Sequence, residues 1–107
     1  MALTYVAVDE NDKVIGASLA FPCNNGAYDV HKVFVAKEHQ GKGIGTELMK
    51  ILIDKLDELE VDSFLTVYPK NPPAIALYEK LGFTDKKFEK DFYGDEEDRY
   101  ILTRRKK

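Results

Sequence analysis

The sequence predicts an α+β fold: a mixed, largely antiparallel sheet of about six strands, built around a central strand–helix–strand unit. Three observations predict it. Short β-prone runs recur between clusters of turn residues. One long segment, ending near Leu59, repeats its apolar residues at three- and four-residue steps. Both ends of the chain read as hairpins. The length, 107 residues, fits one domain over 1–107. Such a chain buries roughly 65% of its unfolded surface, enough for one core without metal or disulfide staples.

The elements follow in order. Leu3 to Val8 is a first strand, Asp9 to Asp12 a polar turn, and Val14 to Phe21 a second strand paired with the first. Pro22 to Gly26 is a loop. Asp29 to Val35 is a third strand; its apolar run Val33 to Val35 reads as buried on both faces. A glycine-rich turn leads to a helix from about Thr46 to Leu59, with Ile44, Leu48, Ile51, Leu52, Leu56 and Leu59 on one stripe. Phe64 to Tyr68 is the fourth strand, and the strand-helix-strand order asks for a parallel pair with a right-handed crossover. Asn71 caps a second helix, Pro72 fits its first turn, and Gly82 suits its left-handed end. A closing hairpin runs from about Phe83 to Tyr93, turns near Gly94-Asp95-Glu96, and returns over Arg99 to Arg104.

Composition narrows the function. Net charge is −3, so no basic excess calls for nucleic acid or an anionic membrane surface; the basic run Arg104 to Lys107 reads as a solvated tail. The lone Cys23 permits no intrachain disulfide and, without a signal peptide, points to the cytoplasm. His31 and His39 have no companions at ligand spacing, so no metal is expected. No apolar stretch approaches a membrane span.

The chemistry concentrates in Gln40-Gly41-Lys42-Gly43-Ile44-Gly45-Thr46. The first N–H groups of a helix lack intrahelical partners and sit at the positive end of its dipole. Glycines allow positive φ and close approach, so a diphosphate can accept from several amides at once. Lys42 would add charge at the rim, and the Thr46 hydroxyl would donate. The spacing is neither GxxxxGK[ST] nor GxGxxG. Read alone, the pattern fits a tight structural turn as well.

Its surroundings are more specific. Gln40-x-x-Gly43-x-Gly45, preceded by HKVFV and followed by TELMKILIDKL, resembles the diphosphate signature of the GNAT superfamily of acetyl-CoA-dependent N-acetyltransferases. A second element, NPPAIALYEKLGF over residues 71–83, is similar to the family's next helix. The resemblance implies that the sheet splays between the third and fourth strands and admits acetyl-CoA. It implies that the pantetheine arm pairs with Val33, Phe34 and Val35, that an N–H near Val33 polarises the thioester, that Gln40 to Thr46 hold the diphosphate, and that Asn71 touches the coenzyme arm. Tyr78 would lie near the sulfur as general acid or hydrogen-bond donor to the departing thiolate, or else simply pack on the sheet.

The implied reaction is direct attack of a primary amine, in a small molecule or at a peptide N-terminus, on the thioester. An alkyl ammonium with a pKa near 10 must first lose a proton. Asp29 occupies the position of a catalytic glutamate in some relatives, and His31 has the side chain that titrates near neutrality. Either, or a water chain, is the candidate base; strict alternation puts Asp29, His31, Val33 and Val35 on one face. Tyr93, Gly94, Asp95 and Asp98 resemble a hairpin tip of N-terminal acetyltransferases and suit a cationic substrate or a solvated turn. Full-length relatives carry a strand and two helices ahead of the first hairpin. Without that cover an apolar sheet face is expected to be exposed, and a homodimer to close it. The alternative function is coenzyme A binding with little turnover.

Overall fold

The computed structural model describes residues 1–90 and 97–106. The hairpin tip at Tyr93, Gly94 and Asp95 lies outside them. The strands are β1 (Leu3–Val8), β2 (Val14–Pro22), β3 (Tyr28–Val35), β4 (Ser63–Val67), β5 (Asp85–Glu89) and β6 (Arg99–Arg104). A 3₁₀ turn at Lys37–His39 follows β3. Helix α1 (Ile44–Leu59) joins β3 to β4, and α2 (Pro72–Lys80) follows β4. The six strands form one sheet in the order β1-β2-β3-β4-β6-β5, antiparallel except for β3 with β4. The α+β architecture expected from the sequence is the one observed.

Both helices pack on the same face of the sheet. Leu48, Met49, Leu52, Ile53 and Leu56 of α1 are buried, and the cluster continues through Val30, Leu65, Phe83 and Leu102. Ala74, Ile75, Tyr78 and Leu81, on and just beyond α2, pack against that cluster. Each element obeys a local rule. The Ala74 N–H donates to Asn71 Oδ1 at 3.4 Å, so Asn71 caps α2. Gly82 takes φ +100° after α2. Arg104 of β6 forks onto Asp57 of α1 (2.5 and 3.1 Å) and donates to the Leu81 carbonyl at 3.1 Å. That one guanidinium ties α1, the end of α2 and β6 together.

The opposite face carries no described helix. Val6, Phe21 and Phe34 on it are 41–54% exposed. Ala17, Leu19, Phe64 and Ile101 continue the apolar patch, half-buried.

Five sequence expectations need correction. Arg104, read as the start of a solvated tail, is buried against Asp57, and Ile51, placed on the apolar stripe of α1, is exposed. The run Val33 to Val35 is not buried on both faces: Phe34 points to the bare side, and Val33 and Val35 are only half-buried. The last hairpin arm starts at Asp85, not Phe83; Phe83 is fully buried, and its N–H donates to the Tyr78 carbonyl, closing the end of α2. The strict alternation along β3 also fails. Leu19 faces Lys32 while the next residue, Ala20, faces Val30, so His31 is an extra residue on β3, a bulge.

Candidate active site

The sheet opens where β3 and β4 part. They pair only at Tyr28↔Ser63 and Asp29↔Phe64. Beyond Asp29, β3 keeps its ladder to β2, through Gly16↔Val35, and β4 keeps its ladder to β6. The edge of β3 facing the gap therefore presents strand N–H and C=O groups with no described backbone partner there. Such groups accept an added extended chain, because each unmet polar group is costly to bury otherwise.

At the far end of that edge sits the glycine turn. The Gln40 side-chain amide donates to the Val35 carbonyl at 3.1 Å and fastens the turn to the strand end. Gly41 and Gly43 take φ +83° and +82°, a conformation that favours glycine. Gly43 is the N-cap of α1 and supplies no side-chain cap, so among the described residues no side chain caps the first amides of α1. Gly45 is different. It is helical, and a Cβ there would touch only Val35 Cγ2 at an ordinary 3.5 Å. Neither strain nor packing demands glycine at this position, although glycine weakens a helix by about 0.5–1 kcal/mol relative to alanine.

These groups line one cleft of about 280 Å³. Val33, Val35, Gln40, Gly41, Gly43, Ile44, Gly45, Thr46 and Tyr78 meet there, as the sequence reading grouped them. His39, Met49 and Leu77 also line it. The sequence offers His39 only as a possible metal ligand; its place directly before Gln40 is the signal for a cleft residue. Burial raises the Tyr78 phenol above its ordinary pKa, so it stays protonated, a donor, at neutral pH.

Other candidates lie elsewhere. Lys42 lines an adjoining apolar cleft, which shares Gly43 and Ile44 with the first, together with Val6, Glu47 and Ile51. Asn71 uses its Oδ1 as a helix cap and lines a larger cavity, about 590 Å³, with Tyr68, Phe88, Glu97 and Asp98. The Phe34 side chain stands on the bare face, under the Lys32 ammonium at 5.3 Å. Asp29 and His31 do not share a face with Val33 and Val35. Val33 and Val35 stand opposite Ser18 and Gly16, on the helix side; Asp29 stands opposite Phe21 on the bare side, and His31 meets the Phe21 ring edge-on at 5.6 Å. The bulge redirects them. Burial raises the Asp29 carboxyl above the usual carboxylate range, with His31 opposing the shift.

Known proteins resemble this chain in sequence and in fold. The acetyltransferase (GNAT) family model matches residues 2–83. An N-alpha-acetyltransferase of Saccharolobus solfataricus is 39% identical over 77 residues, covering 70% of this chain and 46% of that protein. A spermine/spermidine N(1)-acetyltransferase of Bacillus subtilis is 36% identical over 61 residues, 55% of this chain and 40% of the other. The chain thus spans about half the length of the curated relatives it matches. Among solved structures, the NatC complex bound to Gag peptide and CoA contains a chain similar to this one at 27% identity and TM-score 0.82, covering 97% of this chain and 71% of the other.

Proposed function

The chain belongs to the acetyltransferase (GNAT) family, and on that premise we propose that it binds acetyl-CoA in the β3–β4 gap and transfers the acetyl group to a primary amine. One observation carries the proposal. β3 leaves β4 after Asp29, and the freed edge runs into a glycine turn whose helix amides are capped by no described side chain. The diphosphate would rest on the amides of Gly43 to Thr46, and the pantetheine arm would pair with Val33 to Val35. The β3 amide near Val33 would hold the carbonyl oxygen as charge develops there.

The gap passes through the sheet, so the two reactants need not share a face. The coenzyme lies on the helix side, with Val33, Val35 and Tyr78. The amine approaches from the side of Asp29 and His31. There a carboxylate, imidazole or bound water takes the ammonium proton, nitrogen bonds to the carbonyl carbon, and the carbon–sulfur bond breaks. Tyr78 donates a hydrogen bond to the leaving thiolate. Full proton transfer from a phenol to a thiolate is uphill by roughly 2 kcal/mol from the ordinary pKa values, and the raised Tyr78 value adds to that.

The acceptor classes are a peptide N-terminus and a small polyamine, the two chemistries in the relatives' names. A second copy covers the bare apolar face and walls the acceptor side; a mass that stays monomeric at all concentrations in ultracentrifugation contradicts this homodimer. The cytoplasm is the proposed compartment, and the proposed chemistry uses no metal. A second reading, coenzyme binding with little turnover, draws on the absence of Asp29 and His31 from the cleft lining. Release of free thiol from acetyl-CoA, assayed across peptides and polyamines, separates the two. Thiol release with at least one amine supports transfer; tight binding with no release on any amine supports the second reading.

A further inference from the structure

We infer that His39, protonated, is the side-chain cation that meets the coenzyme's diphosphate, so that coenzyme affinity falls as pH rises; this rests on the coenzyme reading above. A diphosphate brings fixed negative charge, and its cradle here is made of neutral backbone. Lys42, the cation expected from the sequence, lines the neighbouring cleft with Val6, Glu47 and Ile51. Among the described residues lining the coenzyme cleft, His39 and Tyr78 alone are titratable, and the phenol is held neutral. That leaves the imidazole.

Its placement is firm. His39 closes the 3₁₀ turn Lys37–His39, and its N–H donates to the Ala36 carbonyl at 2.9 Å. The next residue, Gln40, is tied to Val35. His39 is half-buried and lines the cleft, and no described residue hydrogen-bonds its side chain.

Charged neighbours set the background. Asp9, in the β1–β2 turn, feels the His39 charge. The N–H groups of Lys13 and Asn11 hold the Asp9 carboxyl below its ordinary value, so it stays ionised throughout. Glu10, Asp12 and Lys13 share that turn, and Lys37 and Glu38 stand exposed on the 3₁₀ turn itself. From α1, Glu47 lines the other cleft. The β3 and α2 residues that line the coenzyme cleft carry no charge at neutral pH. These groups shift the midpoint but do not titrate with an imidazole.

The sign follows from linkage. Imidazoles titrate near 6.5 in water, and an adjacent anion favours the charged form. Binding therefore raises the pKa; affinity is greatest below the free value and declines until pH exceeds the bound value. A rise of about one pH unit makes the whole decline about tenfold.

The test uses dephospho-coenzyme A, since the 3′-phosphate of coenzyme A itself titrates near pH 6 and would mask the effect. Calorimetric affinities are measured from about pH 5.5 to 8.5. The wild type loses about tenfold; His39→Gln is flat at the weaker value; Lys42→Ala keeps the wild-type slope. NMR of the wild-type His39 ring, which needs no variant, follows its titration moving upward on binding. Measurable binding with no pH slope, or a slope that survives in His39→Gln, overturns the role of His39 and leaves the coenzyme reading intact. No binding at any pH removes both.

Discussion

Gly45→Glu separates a ligand-driven glycine from a structural one. The substitution leaves the fold room: a Cβ at 45 meets only Val35 Cγ2 at 3.5 Å, an ordinary contact. It should also favour the helix. Replacing glycine contributes about 0.5–1 kcal/mol, and a carboxylate in the first turn of α1 adds about 0.3–1 kcal/mol through the dipole. The same carboxylate lines the cleft proposed for the diphosphate. Two unit charges about 5 Å apart at an effective dielectric near 20 repel by about 3 kcal/mol. Taking one such pair as what survives solvent screening, affinity drops about a hundredfold. The variant should therefore melt no lower than wild type while losing acetyl-CoA binding in calorimetry. Gly45→Ala adds bulk without charge, and its affinity should stay within a few-fold of wild type. Unchanged affinity in Gly45→Glu, with a folded protein, would refute the placement of the diphosphate.

Further outcomes follow from other contacts. Tyr78→Phe should lower turnover by about 10²-fold while coenzyme affinity changes little; steady-state rates with an accepted amine would expose a purely packing role as an intact rate. Asp29 has its folded-state pKa raised by burial, so folding favours its neutral form. That contribution is full below the ordinary carboxyl pKa near 3.9 and is lost as pH rises through the folded value. Asp29→Asn should thus melt progressively higher relative to wild type from about pH 3 to 6, and a constant difference would speak against the burial effect. Asp57→Ala strands the buried Arg104 guanidinium and should cost about 3 kcal/mol, read as a melting point lower by about 12 °C or more.

What the sequence made legible was local. The caps of α2, the Leu48, Leu52 and Leu56 stripe of α1 and the glycine turn each depend on residues a few positions apart. Asn71, Pro72 and Gly82 act where their own backbone preferences put them. The cleft lining by Gln40, Gly41 and Gly43 to Thr46 was legible for the same reason. What escaped depends on partners far along the chain. The bulge at His31 is set by register against Leu19 and Ala20, which no reading of β3 alone contains. It moves both candidate bases to the other face from Val33 and Val35. Phe34 looked like core because apolar runs usually are; it is exposed because no described element covers that side of the sheet. Lys42 sits between two left-handed glycines and lines the neighbouring cleft.

The central claim, coenzyme in the β3–β4 gap with its diphosphate on the start of α1, is tested most directly by titrating ¹⁵N-labelled protein with acetyl-CoA and following backbone amides. The amides of Ile44, Gly45, Thr46 and Val33 to Val35 should shift together and saturate together, while those of Asp85 to Glu89 on the far edge stay in place. Saturable shifts confined to other residues, or none at all, would contradict it.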